Sequence, residues 1–418
     1  MVGKIKMISD KSRELILWLA PEPPTLYSGG SISLTHCFRQ LSKTYDIEVF
    51  CFHSNLLKEV EKIAALPENV KIRLFNRDHE NKALALMESW SGNLPYKTAR
   101  NKSGEMKQAI ENISKECNIA AVFVEHGYMV HLAWNLNVPK IINMQNIESG
   151  LAKREMLHER SGFRKVLWKR EEICWIGWEK RMVEAFDHVT VITDEDRAEL
   201  VAKTAKKHAG KISVLERGTE CHMQQEGKEV AGNSILFVGS MAYGPNIDAV
   251  NYFSRNIFPR IRKRLGTATF TIVGANPASK VRELSKLPGI MVTGFVEDVE
   301  PYYNQSSMVV IPMRSGGGVK MKFLEALGRG MPVVVTSAGA AGVKITNNKE
   351  AMIADNDVDF AEACIKVLAD KALICSLGHN AYNFAKKHHS WEATGAKLVG
   401  VVDSAKQKFR RRNAGIAM

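Results

Sequence analysis

Gly316, Gly317 and Gly318, followed by Lys320, Lys322 and Glu325, are the residues of this chain whose types and spacing carry the clearest chemistry. Residues without side chains let main-chain amides approach a bound group closely, and at the mouth of a helix those amides point at an anion. Lysines at a helix start oppose the macrodipole, so helix stability does not account for Lys320 and Lys322, whereas a bound phosphate does. Glu325 stands one turn beyond Lys322 on the same face, where a carboxylate accepts hydrogen bonds from sugar hydroxyls. The alternative is a tight turn with solvated lysines, because short glycine motifs recur without function.

Two apolar runs, 309–311 and 332–335, bracket this stretch as doubly covered parallel strands, with roughly three turns of helix expected between them. Gly330 and Pro332 stop that helix. A second glycine turn, Gly29-Gly30, follows the apolar run 15–20 and leads into a helix over 32–42. Further strands are expected at 47–52, 70–75, 120–125, 140–144 and 189–193, with a helix over 56–65. The rhythm restarts at 235–239, 270–274 and 290–293, which divides the chain into two Rossmann-like halves joined through 213–234.

His126 ends the strand 120–125, where ligands of open α/β sheets bind; it is either an acid/base group or a structural histidine beside a glycine turn. Asp194-Glu195-Asp196 reads as a helix N-cap in preference to a Mg²⁺ site. Trp168, Trp175 and Trp178 share one face of a basic helix over 163–186, read as a core stripe with an interfacial, lipid-facing helix as the alternative.

At 418 residues the chain is too long for one ordinary core. Its 45% apolar and 25% charged content is that of a soluble globular protein, and the net charge of +13 points to an anionic partner: a membrane surface, nucleic acid or phosphorylated substrates. The basic run 406–412 is either a solvated tail or a lipid-binding one. Seven scattered cysteines without a Cys-x-x-Cys pair suit a reducing cytoplasm. No run approaches the roughly 20 apolar residues of a membrane span, so membrane contact is expected to be peripheral.

With Gly-Gly-Gly-Val-Lys-Met-Lys-Phe-Leu-Glu at 316–325 and Ala-Leu-Gly-Arg-Gly-Met-Pro-Val-Val after it, the chain resembles the family 4 retaining glycosyltransferases of the GT-B fold, in particular a branch found in bacterial polysaccharide assembly. The resemblance is most specific over 235–336. It implies an α/β architecture of two Rossmann-like domains facing each other across a cleft. Residues 1–214 would bind the acceptor, 215–390 the nucleotide sugar, and 391–418 would form a helix and basic tail returning to the first domain. The implied reaction moves a hexose from a nucleoside diphosphate sugar, a co-substrate, to a hydroxyl of a glycan or polyprenyl-linked glycan, with no cofactor and no metal. Implied surroundings are the cytoplasm and the inner face of an anionic membrane, with no nucleic acid partner.

The resemblance assigns Lys322 and Gly316–Gly318 to the phosphates, Glu325 to the ribose, Gly29 and Gly30 to the cleft, His126 to the acceptor side, and the backbone of Val296 to the base. Departures are visible: Gln145 stands where relatives carry His, Ser240 and Asn246 replace a gripping Arg and Lys, and Gly317 replaces the first of two glutamates. Arg314 and Lys320 are therefore expected to take up more of the phosphate charge. Two other readings stand beside this one. A non-catalytic sugar-nucleotide-binding partner is compatible with Gly317. A nicotinamide-dependent oxidoreductase is disfavoured, because the glycine loop lacks the third glycine of a dinucleotide fingerprint and no acidic residue ends the next strand.

Overall fold

The computed structural model describes residues 13–25, 29–53, 65–78, 81–223 and 232–416. The chain forms two compact units, Met1–Glu216 with Thr394–Met418, and Arg217–Ala393. The helix expected over 56–65 falls almost wholly outside the described residues, as does part of the connection 213–234.

In the first unit, β1 (Leu15–Ala20), β2 (Asp46–Phe52), β3 (Val70–Phe75), β4 (Ile119–Glu125), β5 (Lys140–Asn143), β6 (His188–Val191) and β7 (Ile212–Val214) form one parallel sheet in the order β3-β2-β1-β4-β5-β6-β7. The central strands are apolar along their length because helices cover both faces; every residue of β4 is buried. The second unit repeats the plan with β8 (Ser234–Val238), β9 (Thr269–Val273), β10 (Ile290–Gly294), β11 (Met308–Ile311), β12 (Val333–Val335) and β13 (Met352–Ile353), ordered β10-β9-β8-β11-β12-β13. Each order reverses once, between β1 and β4 and between β8 and β11. At such a switch point the loops leaving two adjacent strands part and open a crevice at the carboxyl edge.

Several local expectations need correction. β7 overlaps the start of the stretch read as connection, and β13 was not expected. The helix between β11 and β12 is Met321–Gly328, about two turns instead of three. Its end is a Schellman motif: Gly330, at φ 68°, donates to Leu327 O, and Met331 donates to Ala326 O. The cap of the Asp194–Lys203 helix is Thr193, whose Oγ1 accepts from Asp196 N, so the acidic triplet fills the first turn instead of capping it.

Trp175 and Trp178 are buried in the first unit's core, with Trp178 donating to Gly127 O over 2.9 Å, whereas Trp168 is half-buried and stands outside that core. The final helix, Trp391–Ile416, takes in the basic run as well and lays Leu398, Val401, Val402 and Ala405 into the first unit's core. Its basic run is held in part by ion pairs, Lys406 with Glu14 at 2.5 Å and Arg412 with Asp187 at 3.0 Å. Among the described residues no helix is long and apolar enough to cross a membrane.

Candidate functional site

The second unit's switch point gathers the loop after β8 and the loop after β11. In the latter, Lys320 folds back so that its ammonium donates to three carbonyls, Gly316 O at 2.8 Å, Gly317 O at 3.3 Å and Gly318 O at 2.7 Å. A trans peptide directs its C=O and N–H to opposite sides. Collecting these carbonyls on one ammonium therefore turns the amides of Gly317, Gly318 and Val319 outward, and among the described residues these amides donate to no main-chain carbonyl. Gly316 and Gly318 sit at φ 108° and 66°, the left-handed backbone this shape requires. Outward amides in succession form an anion-binding nest. Lys320 is buried and shapes the loop; the phosphate contact expected from its position is not the bond it makes here.

Lys322 lies on the other side of the helix mouth. Its ammonium donates to Asn246 Oδ1 and sits 4.6 Å from the centre of the Phe237 ring. Asn246 Nδ2 donates to Ser240 O at 2.9 Å, which ties the loop after β8 to the same lysine. A Cβ on Gly239 would come within 3.0 Å of Lys322 Nζ and 2.9 Å of Asn246 Nδ2, so only glycine leaves the ammonium room. Burial lowers the Lys322 pKa to about 8, with Glu325 opposing the shift and Lys320 adding to it.

Glu325 is half-buried, and burial raises its pKa against the pull of Arg329 and Lys322. Among the described residues its carboxylate accepts no hydrogen bond. Arg329, which would be its natural partner one turn on, is bonded instead to Glu300 at 2.6 and 3.2 Å and to the main-chain O of Glu325 at 3.0 Å. A desolvated carboxylate without a donor is suited to a ligand hydroxyl. The helix carrying Lys322 and Glu325 is set close against the segment 217–221: a Cβ on Gly328 would lie 2.3 Å from Glu220 O.

The remaining expected residues are distributed less tightly. Arg314 is held by Asp248 through two bonds of 3.0 and 2.5 Å and lies 4.5 Å from the centre of the Tyr252 ring, so its charge is already paired. Ser240 is exposed beside the site. Val296 packs its side chain on the core, while the neighbouring Phe295 is 73% exposed. Asn246 appeared in the sequence only as a replacement, and its bond to Lys322 was not foreseen; nor was the Arg329–Glu300 pair. Among the described residues no three His, Cys, Asp or Glu side chains gather as metal ligands would.

In the first unit, Gly29 and Gly30 open the helix Gly29–Leu41 after β1, and His126 follows β4, so these residues flank the first switch point. His126 adopts φ 69°, ψ 142°, a conformation costly for a residue with a Cβ, and its ring stacks on Tyr128 at 4.9 Å. Behind it the buried Glu125 accepts from Asn143 Nδ2 at 3.1 Å and from Gln145. Gln145, where relatives carry His, thus serves as a donor to a buried acid.

Residues 232–370 match the family model described as "Glycosyl transferases group 1". Among solved structures, sucrose-phosphate synthase from Thermosynechococcus elongatus superposes with a TM-score of 0.65 at 15% identity, covering 96% of this chain and 100% of that one. Anabaena HepE in complex with UDP superposes with a TM-score of 0.65 at 10% identity, covering 94% and 100%. The chain has the GT-B fold. Curated relatives match over shorter lengths. An uncharacterized 44.6 kDa protein in the cps region of Klebsiella pneumoniae is 22% identical over 259 residues, 60% of this chain and 65% of that protein. A GDP-mannose-dependent alpha-(1-6)-phosphatidylinositol monomannoside mannosyltransferase of Mycobacterium tuberculosis is 27% identical over 156 residues, 34% of this chain and 40% of that one. The chain thus spans less than two thirds of either relative. The stretch matching the family model contains both loops of the second GT-B switch point.

Proposed function

We propose that this chain is a retaining glycosyltransferase of the family 4 type, which transfers a hexose from a nucleoside diphosphate sugar to a hydroxyl of a glycan carried on a lipid. The observation that carries the reading is the Lys322 ammonium, half-buried at the mouth of the Met321–Gly328 helix beside the glycine loop whose amides donate to no main-chain carbonyl. Negative charge grows on the diphosphate as it leaves the sugar, and fixed donors in a poorly hydrated site stabilise it without reorganising. Lys322 and the amides of Gly317, Gly318 and Val319 face the phosphates, and Glu325 accepts from hydroxyls of the nucleotide or sugar. This charge is supplied by the protein, so the reaction proceeds without a metal or other cofactor. His126 stands on the acceptor side. The UDP in the Anabaena complex and the GDP-mannose dependence of the mycobacterial relative support a nucleotide-sugar donor. The net charge of +13 supports an acceptor at an anionic membrane, reached from the cytoplasm.

The test is a panel of UDP-, GDP- and ADP-sugars with a lipid-linked glycan acceptor, assayed with and without chelator, the product's anomeric configuration being read by NMR. Transfer with retention, undiminished by chelator, is expected. Nucleotide binding with no transfer to any acceptor would favour the non-catalytic partner instead.

A further inference from the structure

The first unit holds two cavities that share a wall. One, of about 360 Å³, lies beyond the ends of β1 and β4 and is lined by Arg77, Lys97, Arg100, Tyr96 and Tyr128, with Glu22 as its one carboxylate. The other, of about 540 Å³, is a mainly apolar groove lined by Leu86, Trp90, Leu151, Leu167, Trp168 and Trp175, and falls within the roughly 300–1,000 Å³ of ligand pockets. Tyr96 and Lys97 line both.

The cations of the smaller cavity are not equally engaged. Lys97 pairs with Glu148 at 2.8 Å, and Arg77 is steered by Pro21 O at 3.0 Å and Asn101 Oδ1 at 3.2 Å. Arg100 is half-buried and, among the described residues, makes no hydrogen bond or ion pair. A guanidinium in that state matches a phosphate, to which it donates two parallel bonds. The junction is built firmly: Tyr96 N donates to Glu171 at 3.1 Å, and Arg170 binds Ser89 Oγ at 3.1 Å while its guanidinium lies 4.9 Å from the centre of the Trp90 ring. Beyond it, Leu86 and Trp90 stay 45% and 54% exposed along the groove, apolar surface that a monomer in water gains nothing by showing.

We infer that the joined cavities hold the lipid carrier of the acceptor glycan, a single-chain lipid phosphate of the polyprenyl type, its phosphate on Arg100 and Arg77 and the first part of its chain in the groove. One groove beside one basic cavity fits one chain per phosphate, which favours this lipid over a two-chain phospholipid. The inference rests on the proposed function for what the lipid is there to do. Its binding chemistry is independent of the donor site in the second unit.

The experiment is calorimetric titration of the full chain with farnesyl phosphate, with farnesol, with inorganic phosphate, and with phosphatidylglycerol vesicles. Saturable binding of farnesyl phosphate is expected, at least ten-fold tighter than farnesol or inorganic phosphate. Arg100→Gln should weaken it ten-fold or more, as should Trp90→Ala, which alters the exposed end of the groove and keeps the test open should the first variant fold poorly. Equal affinity for farnesol, equal affinity for inorganic phosphate, vesicle binding as strong as farnesyl phosphate binding, or unchanged affinity in both variants would overturn the inference. UDP and GDP titrations in the same samples separate the two readings: lost nucleotide binding with intact lipid binding counts against the donor assignment alone.

Discussion

Lys322 donates its ammonium to Asn246 Oδ1, and through that one bond the loop after β8 and the helix after β11 share a charge at the switch point of the second sheet. The lysine is half-buried and its bonded partner is a neutral amide, so Glu325 is the carboxylate that acts on its charge and no carboxylate is bonded to it. Lys322→Met should lower kcat/KM by about 10²–10³, the scale of losing one fixed donor to a developing anion. The thermal midpoint should stay level or rise, since a desolvated charge has been removed. A rate within three-fold of the parent would remove Lys322 from the mechanism.

The depressed pKa sets a pH window. In the free protein the ammonium loses its proton as pH rises through about 8, so affinity for an anionic nucleotide should fall above that value and hold below it. Between about 8 and the ordinary lysine range the unfolded chain binds more protons than the folded one, so this group's contribution to stability increases with pH across that window. Titrations of UDP or GDP at pH 7 and 9 in buffers of different ionisation enthalpy should show proton uptake at pH 9 that Lys322→Met abolishes.

Two glycines predict opposite phenotypes. Alanine at 239 meets only the ends of flexible side chains, Asn246 Nδ2 and Lys322 Nζ, so Gly239→Ala should displace the ammonium and cut donor affinity at least ten-fold with little loss of stability. Alanine at 328 meets the main-chain oxygen of Glu220 at 2.3 Å, which cannot give way cheaply. Gly328→Ala should cost about 1–3 kcal/mol or more by overpacking, read as a fall in the urea midpoint.

His126 holds a backbone conformation that glycine adopts without strain. His126→Gly should therefore change stability by at most about 1 kcal/mol, the relieved strain offsetting the added chain entropy, while His126→Ala keeps the strain and should be the less stable of the two. If the imidazole serves the acceptor, both variants lose transfer while nucleotide affinity stays unchanged; equal loss of nucleotide affinity would contradict that placement.

Much of the scaffold is legible in the amino-acid sequence. Strands covered on both faces must be apolar along their length, so runs such as 120–125 and 309–311 stand out, whereas β7 and β13, three and two residues at sheet edges, carry too few side chains to show a pattern. At the site, residue types located the loop and the helix but not the direction in which each side chain turns. Lys320 and Arg314 read alike as phosphate ligands, yet one is turned inward to the glycine carbonyls and the other is claimed by Asp248, a partner 66 positions away. The helix is a turn shorter than its composition suggests because Gly318, at φ 66°, and Lys320, at its cap, belong to the loop.

The inward turn of Lys320 makes the loop's attraction for anions a property of main-chain dipoles whose negative ends are already neutralised. Positions 314, 315 and 319 are then free to vary in evolution without erasing it. Residue 320 is not: an amine shorter by two methylenes would leave the three carbonyls unclasped, and a neutral one would leave them facing each other.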